Sequence, residues 1–468
     1  MENIHEAERS RQQLFSNDAA QVLQTQIAGR APLAHVKTYG CQQNVADGER
    51  LKGMLQKMGY AFTDFKEEAD LIIFNTCAVR EHAQDRVFGN IGALKRLKIK
   101  NPQLIIAVCG CMTEQQAVSE KIRKSYPFVN IVFGTHMLHK LPEIVYTTLT
   151  EDKRVFLNGG ESSDIFEGIP VKREGKTRAF VTVMYGCNNF CSFCIVPYVR
   201  GREKSRKPEN IYNEVKQLVE SGYKEITLLG QNVNSYGQGL KENVNFSGLL
   251  KQLDSIEGDF RLRFMTSHPK DATKELFDTM ANSRHIPHHI HLPLQSGNDQ
   301  ILKVMNRKYD RDKYLSLVRY ARRVMPDICF TSDIIVGFPG EDYSQFQDTL
   351  SAVEQIGYVS IFTFIYSVRP GTKASEMADP VPHTDKTRWL AELLQVQEKT
   401  VSEYTQTLIG KTIRVLVEGR NERSGLLAGR TPGYMMVEFT GGDECIDKFV
   451  HVKITKAYKS TLWGEMLL

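Results

Sequence analysis

Three cysteines, Cys187, Cys191 and Cys194, form a C-x3-C-x2-C set with Gly186 at the turn before it. Three thiolates on one loop suit three corners of a four-iron cluster and leave the fourth iron without a protein ligand, open to chemistry. A zinc loop short of a ligand, or reduced thiols packed together, would use the same residues. No fourth Cys or His stands nearby, and the spacing is unlike the paired C-x2-C knuckles of zinc sites, which favours the cluster. A second set is dispersed: Cys41, Cys77 and Cys111 are separated by 36 and 34 residues, and each follows a short apolar run. If those runs are neighbouring parallel strands, their carboxyl ends lie side by side and the three thiols meet at one point, predicting a second cluster. The alternative is three unrelated buried thiols, the ordinary fate of Cys. Cys109, Cys329 and Cys445 sit within strand patterns and read as packed thiols.

The elements that must hold these residues follow from periodicity. After a polar extension (residues 1–32), apolar runs at Leu33–Thr38, Leu71–Asn75, Leu104–Val108 and Ile131–Phe133 alternate with helix-length segments. That alternation predicts an α/β domain over 33–157 with a doubly wound parallel sheet. A charged, Gly-containing connector spans 158–177. Six further strand-and-helix units, at Ala179–Tyr185, Glu225–Leu229, Arg261–Met265, His289–Leu294, Phe330–Val336 and Ser360–Tyr366, fall within 173–404. They are too few for a closed eight-unit barrel and predict an open, partial (β/α)6 barrel with its active site at the strand ends. The amphipathic stretch Thr387–Leu408 leads into 405–468, where Thr412–Glu418, Tyr434–Phe439, Lys448–Ile454 and Ala457–Leu462 alternate between Gly-containing turns. That pattern predicts a small antiparallel β-barrel.

Composition excludes some classes. At roughly 150 residues per domain, 468 residues make about three domains, and 41% hydrophobic content rules out a mainly disordered chain. No apolar run approaches the roughly 18 residues needed to cross a bilayer, so no membrane association is expected. Nine cysteines without a secretory signal point to reduced thiols in a soluble cytoplasmic protein rather than a disulfide scaffold. A net charge of +5 matters only where it is concentrated. It is concentrated after the cysteine loop, where Arg200, Arg202, Lys204, Arg206 and Lys207 face only Glu203, an expected phosphate patch at the mouth of the cavity. In the terminal barrel, Arg414, Arg420, Arg423 and Arg430 with Tyr434 are candidates to hold an RNA backbone and stack a base. The histidines at 268, 285, 288, 289 and 291 lack metal-ligand spacing and read as ordinary strand and loop positions.

The cysteine loop, with Phe193 before its last Cys, and the strand-and-helix repeat resemble the radical S-adenosylmethionine superfamily. The resemblance implies that the open iron chelates the amino and carboxylate groups of S-adenosylmethionine, whose reductive cleavage yields a 5′-deoxyadenosyl radical. Two three-cysteine sets followed by a small barrel resemble the methylthiotransferases from about Leu33 to the C-terminus, which implies an auxiliary cluster in the first domain and a terminal RNA-binding TRAM domain. The supporting stretches are Lys37-Thr38-Tyr39-Gly40-Cys41-Gln42-Gln43-Asn44, Asn75-Thr76-Cys77-Ala78-Val79-Arg80-Glu81 and Thr266-Ser267-His268-Pro269. Gln43, not a ligand, stands where Met is common. The last stretch most resembles members that methylthiolate carbon 2 of N6-isopentenyladenosine at position 37 of tRNA. The alternatives are action on threonylcarbamoyl-adenosine and a non-catalytic iron-sulfur RNA-binding protein.

The resemblance further implies two 4Fe–4S clusters, with Cys41, Cys77 and Cys111 holding the sulfur-donating one and Cys187, Cys191 and Cys194 the radical one. Two S-adenosyl-L-methionine molecules then serve, one as methyl donor and one as radical source. Cofactor contacts are expected at Phe193, at Gln231 and Asn232, at Ser267, at Gln295 and Ser296, and at Val336 with Gly337. Arg307 is a candidate bidentate donor to the cofactor carboxylate. RNA contacts are expected at Arg200, Arg202, Arg206, Arg420 and Arg430. The implied partners are a tRNA anticodon loop, an electron donor such as flavodoxin or ferredoxin, and a sulfur-delivery system, acting on a monomer.

Overall fold

Alternation of apolar side chains to the two faces of a strand is what builds the first sheet. In the computed structural model, which describes residues 2–27, 29–78, 81–151, 153–159 and 165–467, six parallel strands run β1 (Leu33–Thr38), β2 (Ala61–Phe62), β3 (Leu71–Thr76), β4 (Ile105–Gly110), β5 (Ile131–Phe133) and β6 (Val155–Leu157). Val79 and Arg80 of the second stretch quoted above, and residues 160–164 of the connector, lie outside the described residues. The sheet order is β2-β1-β3-β4-β5-β6. Strands β3 and β4 are buried at all six positions, as expected of parallel strands covered by helices on both faces. Ile73 and Ala107 pack with Leu51, Leu55 and Ile144 on one side, while Ile72, Phe74 and Val108 pack with Val87, Ile91 and Ile122 on the other. Strand order reverses between β1 and β3, so a topological switch point lies at the carboxyl ends that carry Cys41 and Cys77. The polar extension is a 25-residue helix, Glu2–Gln26. It buries Ala19 and Leu23 in the core, and its Arg11 pairs with Glu143 at 2.7 Å.

The chain divides into two compact units. The first comprises residues 1–174 with 185–187 and 195–203, the second 175–184, 188–194 and 204–468. After β7 (Arg178–Thr182) come the two-residue strands β8 (Met184–Tyr185) and β9 (Lys204–Ser205), which flank the cysteine loop in sequence. The second unit continues with β10 (Glu225–Leu229), β11 (Arg261–Met265), β12 (His289–His291), β13 (Cys329–Val336) and β14 (Ser360–Ile365). Six parallel strands form two ladders, β7-β10-β11 and β12-β13-β14, giving the open partial barrel. Between the ladders Leu262 N donates to His285 O at 2.9 Å and Ser267 N to His291 O at 3.3 Å. Strand β12 is three residues long where periodicity predicts six, because Pro293 has no N–H to continue a ladder.

The last domain is a closed barrel of β15 (Thr412–Arg420), β16 (Leu427–Arg430), β17 (Met436–Thr440), β18 (Phe449–Tyr458) and β19 (Thr461–Leu467), in the order β15-β16-β17-β19-β18. It is not wholly antiparallel as the sequence suggests, since closure pairs β17 with β19 in parallel. Its core joins Val415, Val417, Leu427, Val437, Phe439, Val452 and Ile454. Beneath it Glu225, 2% exposed, is met by Arg178 at 3.1 Å, Arg261 at 3.3 Å and Arg263 at 2.7 Å. Arg261 and Arg263 also donate to the barrel carbonyls of Arg430 and Thr431 at 3.3 and 3.1 Å.

Candidate active site

In the first unit the turns after β1, β3 and β4 bring Cys41, Cys77 and Cys111 around one side chain. Asn44 Oδ1 lies 3.5 Å from Cys41 Sγ and 3.8 Å from Cys111 Sγ. A Cβ at Gly40 would stand 3.0 Å from Cys77 Sγ and 2.5 Å from its Cβ, and Gly40 has φ 122, so only glycine lets this turn close over the thiol. Gly110, φ 102, is needed in the same way, since a Cβ there would meet the Thr76 carbonyl. Asn44 is fully buried and its Nδ2 donates to Thr76 O at 2.8 Å and Tyr39 O at 3.2 Å, tying the β1 and β3 turns together. Arg200, absent from any expectation about this centre, donates from Nε to Cys111 Sγ at 3.0 Å. A hydrogen bond from Cys77 pulls the Cys41 thiol down to about 6, with burial opposing and Arg200 assisting. Burial pushes Cys111 up to about 11 despite Arg200. Cys109, 1% exposed, faces the core beside Phe133.

In the second unit Arg307 is committed on all sides: Nη1 donates to Cys191 Sγ at 3.3 Å, Nη2 to Pro293 O at 3.0 Å and Nε to Tyr309 OH at 3.0 Å. Phe193 packs edge-on against Phe338, ring centroids 6.3 Å apart. At the ends of β10 and β11, Val233 N donates to Thr266 O at 2.9 Å and brings two loops together. Buried polar atoms gather there without partners among the described residues: Asn232 Oδ1, both amide atoms of Asn234, Ser267 Oγ and His268 Nε2. Buried polar groups are rarely left unpaired, so this set fits a ligand rich in donors and acceptors. Asn232 is oriented by Nδ2 donating to Asp271 at 2.7 Å, and burial keeps His268 neutral, its ring well below the usual imidazole range. Gln231 is partly exposed. Gln295 holds φ 68 and bridges Ile334. Ser296 Oγ lies 3.3 Å from Thr349 Oγ1. Val336 is fully buried, and the next residue, Gly337, donates its N–H to Glu341 at 2.6 Å.

The arginine patch is corrected at two positions. Arg200 and Arg206 are 7% and 6% exposed, closed to phosphate because Arg206 donates to Thr182 O at 2.6 Å and Glu214 at 2.8 Å and Arg200 serves the thiol centre. Arg202 is exposed. In the terminal barrel Arg420 pairs with Asp443 at 2.6 Å and Arg430 with Glu418 at 3.1 Å. Arg414 pairs with Asp259, and Tyr434 stacks on His289 with centroids 5.8 Å apart. Asn44 and Asp47 are the residues sequence reasoning missed, and Arg200 is one it assigned to RNA; Asn44 lies in a quoted stretch, whereas nothing local marks Arg200 as a partner of sulfur.

Comparison with known proteins adds to this geometry. The Radical SAM superfamily model matches residues 181–353, the model of uncharacterized protein family UPF0004 matches 34–134, and the TRAM domain model matches 406–467. The tRNA-2-methylthio-N(6)-dimethylallyladenosine synthase of Caldicellulosiruptor saccharolyticus is 50% identical over 439 residues, 94% of this chain and 93% of that protein. The chain belongs to that enzyme family. The synthase of the same name from Clostridium beijerinckii is 48% identical over 93% of this chain and 96% of its own. Among solved structures, the radical S-adenosylmethionine methyltransferase TsrM from Kitasatospora setae superposes with a TM-score of 0.55 at 14% identity, covering 74% of this chain and 75% of its own, which is a likeness of fold. The superfamily implies a 4Fe–4S cluster and S-adenosylmethionine. In the second unit, Cys191 and Cys194 and the unpartnered polar atoms beside β10 and β11 fit that pair chemically. Among the described residues no three Cys, His, Asp or Glu side chains close on a single metal ion; the corners of a four-iron cube lie farther apart than the ligands of one ion. No helix among the described residues is long and apolar enough to cross a membrane.

Proposed function

We propose that the chain converts N6-isopentenyladenosine at position 37 of tRNA to its 2-methylthio derivative, with a second, auxiliary 4Fe–4S cluster on Cys41, Cys77 and Cys111. The observation that carries the reading is identity near one half, over more than nine-tenths of the chain, to synthases named for that product. Carbon 2 of adenine offers neither an acidic proton nor a leaving group, so polar acid-base catalysis has no handle and radical chemistry is required. When bound, the cluster on Cys187, Cys191 and Cys194 with S-adenosylmethionine supplies the deoxyadenosyl radical, and the auxiliary cluster with a second S-adenosylmethionine supplies the methylated sulfur.

The chain's own residues bind and orient. Asn232, Asn234 and Ser267 offer buried donors and acceptors to the cofactor's polar groups, with Phe193, Gln231, Gln295 and Val336 as further contacts. His268, held neutral, adds a hydrogen-bonding group without placing a second positive charge near the sulfonium. Arg307 holds Cys191 in place through its Sγ contact. Arg202, Arg420 and Arg430 take phosphates of the anticodon stem and loop, and the TRAM barrel carries the affinity for RNA. The enzyme acts as a cytoplasmic monomer served by a flavodoxin- or ferredoxin-type electron donor and a sulfur-delivery system.

The test is a Cys77→Ala chain shown to be folded by circular dichroism and reduced with a strong reductant. It is expected to form deoxyadenosine but no methylthioadenosine. The companion chain with Cys187→Ala, Cys191→Ala and Cys194→Ala is expected to keep about half of the iron of a two-cluster protein. Normal methylthioadenosine formation by Cys77→Ala would overturn the sulfur-donor role.

A further inference from the structure

We propose that Arg200 is a positioning residue for the centre formed by Cys41, Cys77 and Cys111. It fixes the Cys111 sulfur through an N–H···S hydrogen bond from its guanidinium and raises the reduction potential of the cluster there. The proposal rests on the reading that these cysteines hold a cluster.

Arg200 follows Cys194 by six residues, yet its segment, Ile195–Glu203, belongs to the first compact unit with β1, β3 and β4. The short helix Val196–Val199 carries it in, with Ile195 and Val199 packed against Ala78 and Cys111. The guanidinium makes three directed contacts. Nε donates to Cys111 Sγ at 3.0 Å, and Nη2 donates to Asp47 Oδ2 at 2.8 Å and Asn44 Oδ1 at 3.0 Å. Only a planar fork with several donors spans these points at once. Asp47 is itself buried and shared, since its Oδ1 also accepts from Arg50 Nη1 at 3.4 Å and from Gln43 Nε2 at 3.3 Å.

Arg50 and Arg200 thus share one carboxylate, Asp47. Buried charge is tolerated when paired, and a cluster bound through Cys111 gives the Arg200 guanidinium a further anionic partner beside Asp47. One-electron reduction adds negative charge to such a cluster. A cation 3.0 Å from a ligand sulfur stabilises the reduced state more than the oxidised one, and the hydrogen bond to sulfur acts in the same direction. Loss of Arg200 therefore lowers the potential. A role confined to anchoring the loop predicts no such shift once the cluster is in place.

The test uses the full chain with Cys187→Ala, Cys191→Ala and Cys194→Ala, reconstituted anaerobically with iron and sulfide so that only the auxiliary cluster remains. Iron per chain is counted, and the midpoint is read by a titration followed by electron paramagnetic resonance. Adding Arg200→Gln is expected to reduce the ratio of reduced to oxidised cluster at the parent's midpoint about tenfold, equivalent to about 59 mV for one electron. Arg200→Lys keeps the charge without the fork and is expected to shift the midpoint the same way by less. An iron-loaded Arg200→Gln chain with the parent's midpoint overturns the proposal. Should that variant fail to hold iron, Arg200→Lys decides: a lowered midpoint supports the proposal and an unchanged one overturns it. A parent chain that binds no iron overturns the cluster reading itself, and the proposal with it.

Discussion

Replacing Asn44 by Ala removes a side chain shared by the turns that carry Cys41, Cys77 and Cys111, and its cost can be worked from its bonds. The amide donates to Thr76 O at 2.8 Å and to Tyr39 O at 3.2 Å and accepts from Arg200 at 3.0 Å. Two neutral bonds at about 1 kcal/mol each and one to a charged donor at about 2 kcal/mol give about 4 kcal/mol. All of it is local, because the orphaned partners are the carbonyls of Tyr39 and Thr76 and the Arg200 fork. At about 1.4 kcal/mol per decade that is nearly three orders of magnitude in a local opening equilibrium. Hydrogen exchange read by mass spectrometry on the iron-free full chain measures it without confusing loss of structure with loss of metal. Peptides covering residues 39–48 and 109–115 should lose about three decades of protection in Asn44→Ala, while those covering 412–420 should not change. A loss below about tenfold would mean that water or rearrangement satisfies the three partners, and that Asn44 does not organise the centre.

Two further outcomes follow from buried carboxylates. Glu225→Gln leaves Arg178, Arg261 and Arg263 facing a neutral amide and should destabilise the second unit by about 3 kcal/mol, seen as a lowered thermal midpoint; an unchanged midpoint would show that the barrel carbonyls alone satisfy those arginines. Burial holds the Glu341 carboxyl at about 7 against an ordinary 4.5, only partly offset by the amides of Gly337 and Phe338. Its folded pKa lies above its unfolded one, so its stabilisation is complete below 4.5 and is lost as pH rises through about 7. The thermal midpoint should fall across that window and fall less steeply in Glu341→Gln; equal slopes in the two proteins would refute the assignment.

The fold was legible where local pattern and tertiary environment agree. Leu71–Thr76 and Ile105–Gly110 are buried on both faces, so their apolar runs signal parallel strands wherever they pair. Strands β2 and β6 are two and three residues long, too short for any period to register. Strand β16, Leu427–Arg430, is hidden by Gly429, which is there because a Cβ would meet the Leu416 carbonyl. The parallel β17–β19 pair was illegible for another reason: hairpin logic joins sequence neighbours, and closure of a barrel joins strands that are not.

At the site, the cysteines could be found because strand-end placement is a local property that topology then converts into proximity. Arginines carry no such mark. Arg200 and Arg202 are two residues apart and look alike in a count of charge, yet one is buried against Cys111 and the other is exposed. The difference is made by Asp47, 153 residues away in sequence, whose carboxylate gives a buried guanidinium its partner. Arg206 is diverted likewise by Glu214 and the Thr182 carbonyl. A run of basic residues beside a cluster loop is therefore ambiguous between phosphate and sulfur as its anion. Arg206 takes neither, and for Arg200 the buried acid and the thiol decide in favour of sulfur.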